Sequence, residues 1–204
     1  MTKSKTSTIA IVVLSVLLAA ALAATIVLAA FTASGRASTT ITFGEGLTLT
    51  LSGTDVATGA NSNTVTLTAK DGLTAGGTIY SNALVATPSR DAKIAYKPTA
   101  TVSSGFTAGA ATNGTNAVTW TITNTSTSGT ITLTMAYTGA SWDSSNSCLT
   151  INEATTAGVN LYDTISVTAD NANDLAGLTI TFAITIGAVS ADGEMSEAIT
   201  VMNA

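Results

Sequence analysis

In the segment ADNANDLAG, Asp170, Asn171, Asn173 and Asp174 gather four oxygen-bearing side chains in one short stretch. Hard cations such as calcium take ligands of this kind, so the four form a weak candidate metal site. Their spacing matches no EF-hand loop, and Asp and Asn are also ordinary turn formers, so a plain loop is the competing reading. Asp192-Gly193-Glu194 reads as a tight turn. The twelve acidic residues could in principle pair for glycoside hydrolysis, but most stand in turn-like contexts. The chain has no histidine, which removes the Ser-His-Asp and Cys-His mechanisms. It carries no HExxH, CxxC, P-loop or Rossmann glycine pattern. No catalytic residue is expected, the chain is not read as an enzyme, and no cofactor is expected beyond that calcium candidate.

Cys148 is the single cysteine and so cannot form an intrachain disulfide. In NSCLTIN it is expected to be a small buried strand residue, with an intermolecular bond as the alternative. Two glycosylation tripeptides occur, Asn113-Gly114-Thr115 and Asn124-Thr125-Ser126, both in Gly/Ser/Thr-rich stretches. Asn124, between two confident strand patterns, is the better placed by sequence. The seven basic residues include the short group Arg90, Lys93 and Lys97, and none lies beyond position 97. Nucleic acid needs clustered cations to displace its counterions, so it is excluded as a partner.

The elements that carry these residues follow from patterning. Of 204 residues, 46% are hydrophobic and only 9% are charged, against roughly 25% charged in an ordinary soluble domain. Thr, Ser, Ala and Gly fill the gap, which suits a packed assembly or a glycan-covered surface. Lys3 and Lys5 precede an apolar run from 9 to 31, broken only by Ser15 and Thr25. That run can span a bilayer, which takes about 20 residues, and it also reads as an export signal with cleavage between Ala23 and Ala30. Residues 1–30 are therefore expected to be a signal peptide or a membrane anchor, with the rest of the chain outside the membrane.

From Phe31 to Phe43 the pattern becomes alternation. Phe31, Ala33, Gly35, Ala37, Thr39, Ile41 and Phe43 share one face, Thr39 being its most polar member, and Thr32, Ser34, Arg36, Ser38, Thr40 and Thr42 the other. After Gly44 and Gly46 the alternation recurs at Leu47–Leu51, Val65–Leu67, Val118–Ile122, Ile131–Tyr137, Ile165–Val167 and Leu178–Ile186, with Ile199 and Val201 as a closing strand. Weaker candidates are Ile79–Val85, Ile94–Val102 and the pair Leu149 and Ile151. Thr between the apolar positions favours strand over helix, because its branched β-carbon suits a pleated surface. No segment after Phe31 keeps a 3.6-residue period. About ten strands predict an all-β fold, an antiparallel β-sandwich of jelly-roll type, over residues 47–204.

The segment LAAFTASGRASTTITFGEGLTLTLSG resembles the start of TasA/camelysin-type fibre proteins. The matching elements are Ala30-Phe31-Thr32, Phe43-Gly44 and Leu47-Thr48-Leu49, and Phe182 in LTITFAITI stands in the aromatic place of the family's closing strand. The resemblance implies an extracellular, cell-surface filament, as in biofilm fibres and archaeal bundling pili, threads and cannulae. There the N-terminal strand of one subunit completes the sheet of the next. Residues 31–46 are then a donor strand, with Phe31, Ala33, Ala37, Ile41 and Phe43 inserted into a neighbour and Gly44 and Gly46 as the hinge. Burying Phe31, Ile41 and Phe43 would supply roughly 5–9 kcal/mol at ~1.5–3 kcal/mol each. The implied partners are identical subunits head to tail, with lateral bundling, and a membrane only during export. Three alternatives stand beside this. Residues 38–51 fold back as a hairpin in their own domain; the apolar helix forms the core of a type IV-like pilus; or the chain is a membrane-anchored surface or S-layer-like domain.

Overall fold

The structure is a computed structural model that describes residues 36–204 apart from residue 55 and residues 59–62. Residues 1–30, expected to be a signal peptide or membrane anchor, and Phe31 and Ala33 lie outside the described residues. The described chain is all-β, with antiparallel pairing throughout three sheets. The first sheet has the order β1 (Arg36–Thr42), β2 (Thr48–Thr54), β6 (Leu84–Pro88), β14 (Val159–Tyr162). The second runs β5 (Thr78–Tyr80), β15 (Thr164–Ala169), β11 (Thr130–Ala136), β10 (Ala117–Asn124), β8 (Phe106–Ala108), and β9 (Thr112–Gly114) also pairs with β10. The third runs β12 (Ser141–Asp143), β13 (Cys148–Ala154), β7 (Ala92–Val102), β16 (Ile180–Ser190), β4 (Thr64–Lys70), β3 (Val56–Thr58).

Alternation decides which residues meet. On β10, Val118, Trp120 and Ile122 are buried while Thr119, Thr121 and Thr123 turn outward. The register sets Trp120 opposite Leu133 and Ile122 opposite Ile131, so both strands present one apolar face. Trp120 then meets Phe182 of β16 edge to face, with ring centroids 5.2 Å apart and planes at 90°. That contact joins the second and third sheets across one core, the arrangement of a sandwich. Leu47, Leu49 and Leu51 from the first sheet enter the same core. The outward positions form uncharged hydroxyl rows. One row crosses five strands as Thr112, Thr119, Thr134, Ser166 and Thr78.

Two features depart from the sequence reading. Several strands are only three residues long, among them β3, β5, β8, β9 and β12, too short for alternation to register, so the described chain has sixteen strands instead of about ten. The weak segment Ile79–Val85 accordingly divides between β5 and β6. Ile199 and Val201 are not a strand but part of a helix, α1 (Met195–Met202). Its start is fixed by a capping box in which the Glu194 and Glu197 side chains each accept from the other residue's backbone N–H. Ala198 and Met202, one helical turn apart, then bury against Ala95 and Cys148 on the far face of the third sheet. Gly187 makes this possible, because a Cβ there would overlap the Ala198 carbonyl oxygen and the Met202 nitrogen.

Candidate functional site: the first strand and the groove beside it

β1 pairs with β2 in one uninterrupted register, from Arg36 opposite Thr54 to Thr42 opposite Thr48, with Ala37 opposite Gly53. The connection is a single turn. Phe43 N–H donates to Leu47 O at 2.7 Å, Leu47 N–H donates to Gly44 O at 3.3 Å, and Gly46 takes φ 72°, where glycine meets no Cβ penalty. Ile41 and Phe43 face inward and are 6% and 8% exposed, while Ser38, Thr40 and Thr42 are exposed. The two faces are those the alternation predicts.

In the single chain the inward face of β1 lies in its own domain. Ile41 and Phe43 fill the core of their own domain, and Gly44 and Gly46 form the turn of a hairpin, not an extended hinge. Residues 36–46 group with the rest of the described chain in one compact unit. The cause is proximity. Only a tight turn separates two strands of matching pattern, so closing the loop within one chain costs little entropy.

Among the described residues β1 is the end strand of its sheet. Phe43 directs its N–H to Leu47 O, next to β2, so the antiparallel alternation points the backbone groups of Thr42, Thr40 and Ser38 away from β2. β3, the terminal strand of the third sheet, lies against β1 without pairing to it. Beside the end of β1 opens a groove of about 670 Å³, lined by residues that include Thr40, Thr42, Phe43, Asn63, Val201 and Ala204, with no charged side chain among the described residues that line it. Asn63 builds one wall. Its Nδ2 donates to Val201 O at 3.2 Å and Met202 O at 3.5 Å, closing the end of α1, and its carbonyl accepts from Ile186 N–H at 2.8 Å. Patterning did not single out Asn63, which stands in a polar run resembling any turn. The Glu194/Glu197 capping box was the available signal for the helix that brings Val201 to the groove.

The other sequence-predicted positions do not converge. Asp174 is buried and turned inward, its Oδ1 accepting from the Thr127 hydroxyl at 2.6 Å. Asn171 Oδ1 accepts from Asn173 N–H at 3.0 Å, capping a 3₁₀ turn over Ala172–Leu175, and Asp170 is exposed. In the structure Asn171 and Asp174 serve a turn and a loop anchor. Among the described residues no group of three His, Cys, Asp or Glu side chains could hold a metal. Asp192-Gly193-Glu194 is a turn into α1, with Gly193 N–H donating to Ser190 O at 2.9 Å. A hydrogen bond from Ser190 is the main cause holding the Asp192 carboxyl below its ordinary range. Cys148 is buried beneath α1, and burial pushes its thiol up to about 11. Asn124, the favoured glycosylation position by sequence, is only 6% exposed, whereas Asn113 is exposed.

Among the described residues no helix is long and apolar enough to cross a membrane. No protein-family model matches the chain, and neither a curated protein nor a solved structure matches it.

Proposed function

We propose that this chain is the structural subunit of an extracellular filament and that β1 is its exchangeable element. In the single chain β1 closes its own sheet. In the polymer, β1 of one subunit pairs with β2 of the next, head to tail, by the same register and the same Ile41 and Phe43 contacts. Identical contacts in cis and trans make the exchange nearly neutral per subunit, so concentration and the opened turn decide its direction. Because the operation is not a two-fold, it propagates instead of closing. The observation that carries the reading is a strand with a buried apolar face that, among the described residues, ends its sheet and pairs with β2 through one short turn. An edge of this kind is an association hazard that soluble monomers normally blunt. The hydroxyl rows on the outer faces support side-by-side packing of such filaments, since they bring no like charges together. A filament reconstruction tests it. The β1 density should connect to the β2 of its own chain only through an extended linker, with Phe31 lying on the neighbouring subunit.

The completeness of the domain in cis favours one second reading, a membrane-anchored surface or S-layer-like domain that needs no donor. Exported chain concentrated well beyond its level in culture separates the two, because that domain should stay monomeric in electron micrographs.

A further inference from the structure

We infer that Asn113 is the acceptor of an N-linked glycan and that Asn124 is not, although both head an Asn-X-Ser/Thr tripeptide; the inference rests on the reading that the chain is exported. The reaction joins Asn Nδ2 to the anomeric carbon of a lipid-linked, phosphorylated sugar. A C–N bond forms, the anomeric C–O bond breaks, the phosphate leaves with the bonding pair, and Nδ2 gives up one proton. The asparagine amide must therefore meet a bulky donor, and afterwards the fold must accommodate the sugar.

Asn124 meets neither condition. It is buried at the end of β10, and both ends of its carboxamide are occupied. Nδ2 donates to Asp174 O at 2.9 Å, and Oδ1 accepts from Ser126 N–H at 2.9 Å and from Thr127 N–H at 3.4 Å. The neighbouring space is filled, since the Asp174 carboxylate lies so close over Gly129 that a Cβ there would overlap it. A sugar on Asn124 Nδ2 is incompatible with this packing whether it is added before or after folding.

Asn113 meets both. It lies on β9 in a hairpin whose tip is Thr115-Asn116, with Gly114 opposite Ala117 and Asn116 at φ 53°. Asn113, Gly114 and Thr115 are all exposed. The hydroxyl of buried Tyr137 donates to Asn113 Oδ1 at 2.9 Å, and Tyr137 N–H donates to Asn116 O at 3.0 Å. One residue thus fixes the amide oxygen and the hairpin tip together. Nδ2 has no hydrogen-bond partner among the described residues and is left for the donor, with the Thr115 hydroxyl two residues away in the chain.

The test is intact-glycopeptide mass spectrometry on the full chain recovered from the surface of the cells that make it, with an N113Q variant in parallel. The peptide containing Asn113 should carry a mass increase of whole sugar units, the Asn124 peptide should be unmodified, and N113Q should lose that increase. A bare Asn113 in surface-recovered protein, or a sugar on Asn124, overturns the inference and leaves the export reading standing. A chain found wholly inside the cell overturns both.

Discussion

Replacing Ile41 and Phe43 with alanine distinguishes a strand that the domain can release from one that it cannot. Both side chains are nearly buried, at 6% and 8% exposed, and truncations of this kind cost about 2–5 kcal/mol for Ile and about 3–5 kcal/mol for Phe. Their place at the rim of the core points to the lower half, roughly 5–7 kcal/mol for the pair. They are neighbours on one strand face, so the two costs couple and need not simply add. A whole domain is stable by only about 5–15 kcal/mol. If β1 unfolds only with everything else, the double variant should lose most of its global stability. If β1 detaches alone, the global loss is capped at the free energy of detachment, and local opening takes up the rest. Hydrogen exchange across 36–43 and 180–190, alongside urea unfolding followed by tryptophan fluorescence, reads both at once, because Trp120 packs on Phe182 in the central core. We expect the 36–43 amides to exchange roughly a hundredfold faster, at about 1.4 kcal/mol per tenfold, while 180–190 stays protected and the unfolding free energy in urea falls by less than half of the full sum. Equal loss of protection in both segments would refute the reasoning, because β1 would then belong to the cooperative core.

Three other outcomes follow from the packing. Gly187→Ala should lift α1 from the third sheet at about 1–3 kcal/mol, lowering the helical signal and exposing Cys148 to thiol reagents without changing tryptophan fluorescence. Asn124→Ala should cost roughly 2–4 kcal/mol in urea unfolding, because it strips partners from the Asp174 carbonyl and the Ser126 N–H in a buried corner; a change below about 0.5 kcal/mol, the usual size for an unremarkable surface site, would mean the corner is held some other way. Cys148 has a folded thiol pKa of about 11, above the roughly 8.5 of a free thiol. The folded state therefore holds its proton more tightly. This contribution to stability is complete below the unfolded pKa and is lost as pH rises through the folded one, so stability should decline between about pH 8.5 and 11. Cys148→Ala should flatten that decline.

Sequence patterning reached the long strands because alternation with Thr is unambiguous where a strand runs seven residues or more. It therefore placed Leu47 to Leu51, Val118 to Ile122 and Leu178 to Ile186 on the core face correctly. It failed at Ile199 and Val201, where two apolar residues two apart fit a strand and a helix equally well and the capping box decided the matter. It separated the faces of β1 but not the chain that receives them, since Ile41 and Phe43 would bury equally well in cis or in trans. Asn124 looked accessible because Thr and Ser surround it, and only the fold brings Asp174 over it from fifty residues away. Short strands and long-range polar partners leave no local periodicity.

The most direct measurement locks β1 where the single chain holds it. Thr40 and Thr50 face each other across β1 and β2, both exposed, at a pair that the alternation makes non-hydrogen-bonded. Such pairs have Cα atoms about 4.5 Å apart, within disulfide reach. A T40C/T50C chain should stay monomeric when oxidised and form filaments once reduced, at a rate close to that of the unmodified chain. Filaments growing equally well from the oxidised, locked chain would contradict strand exchange.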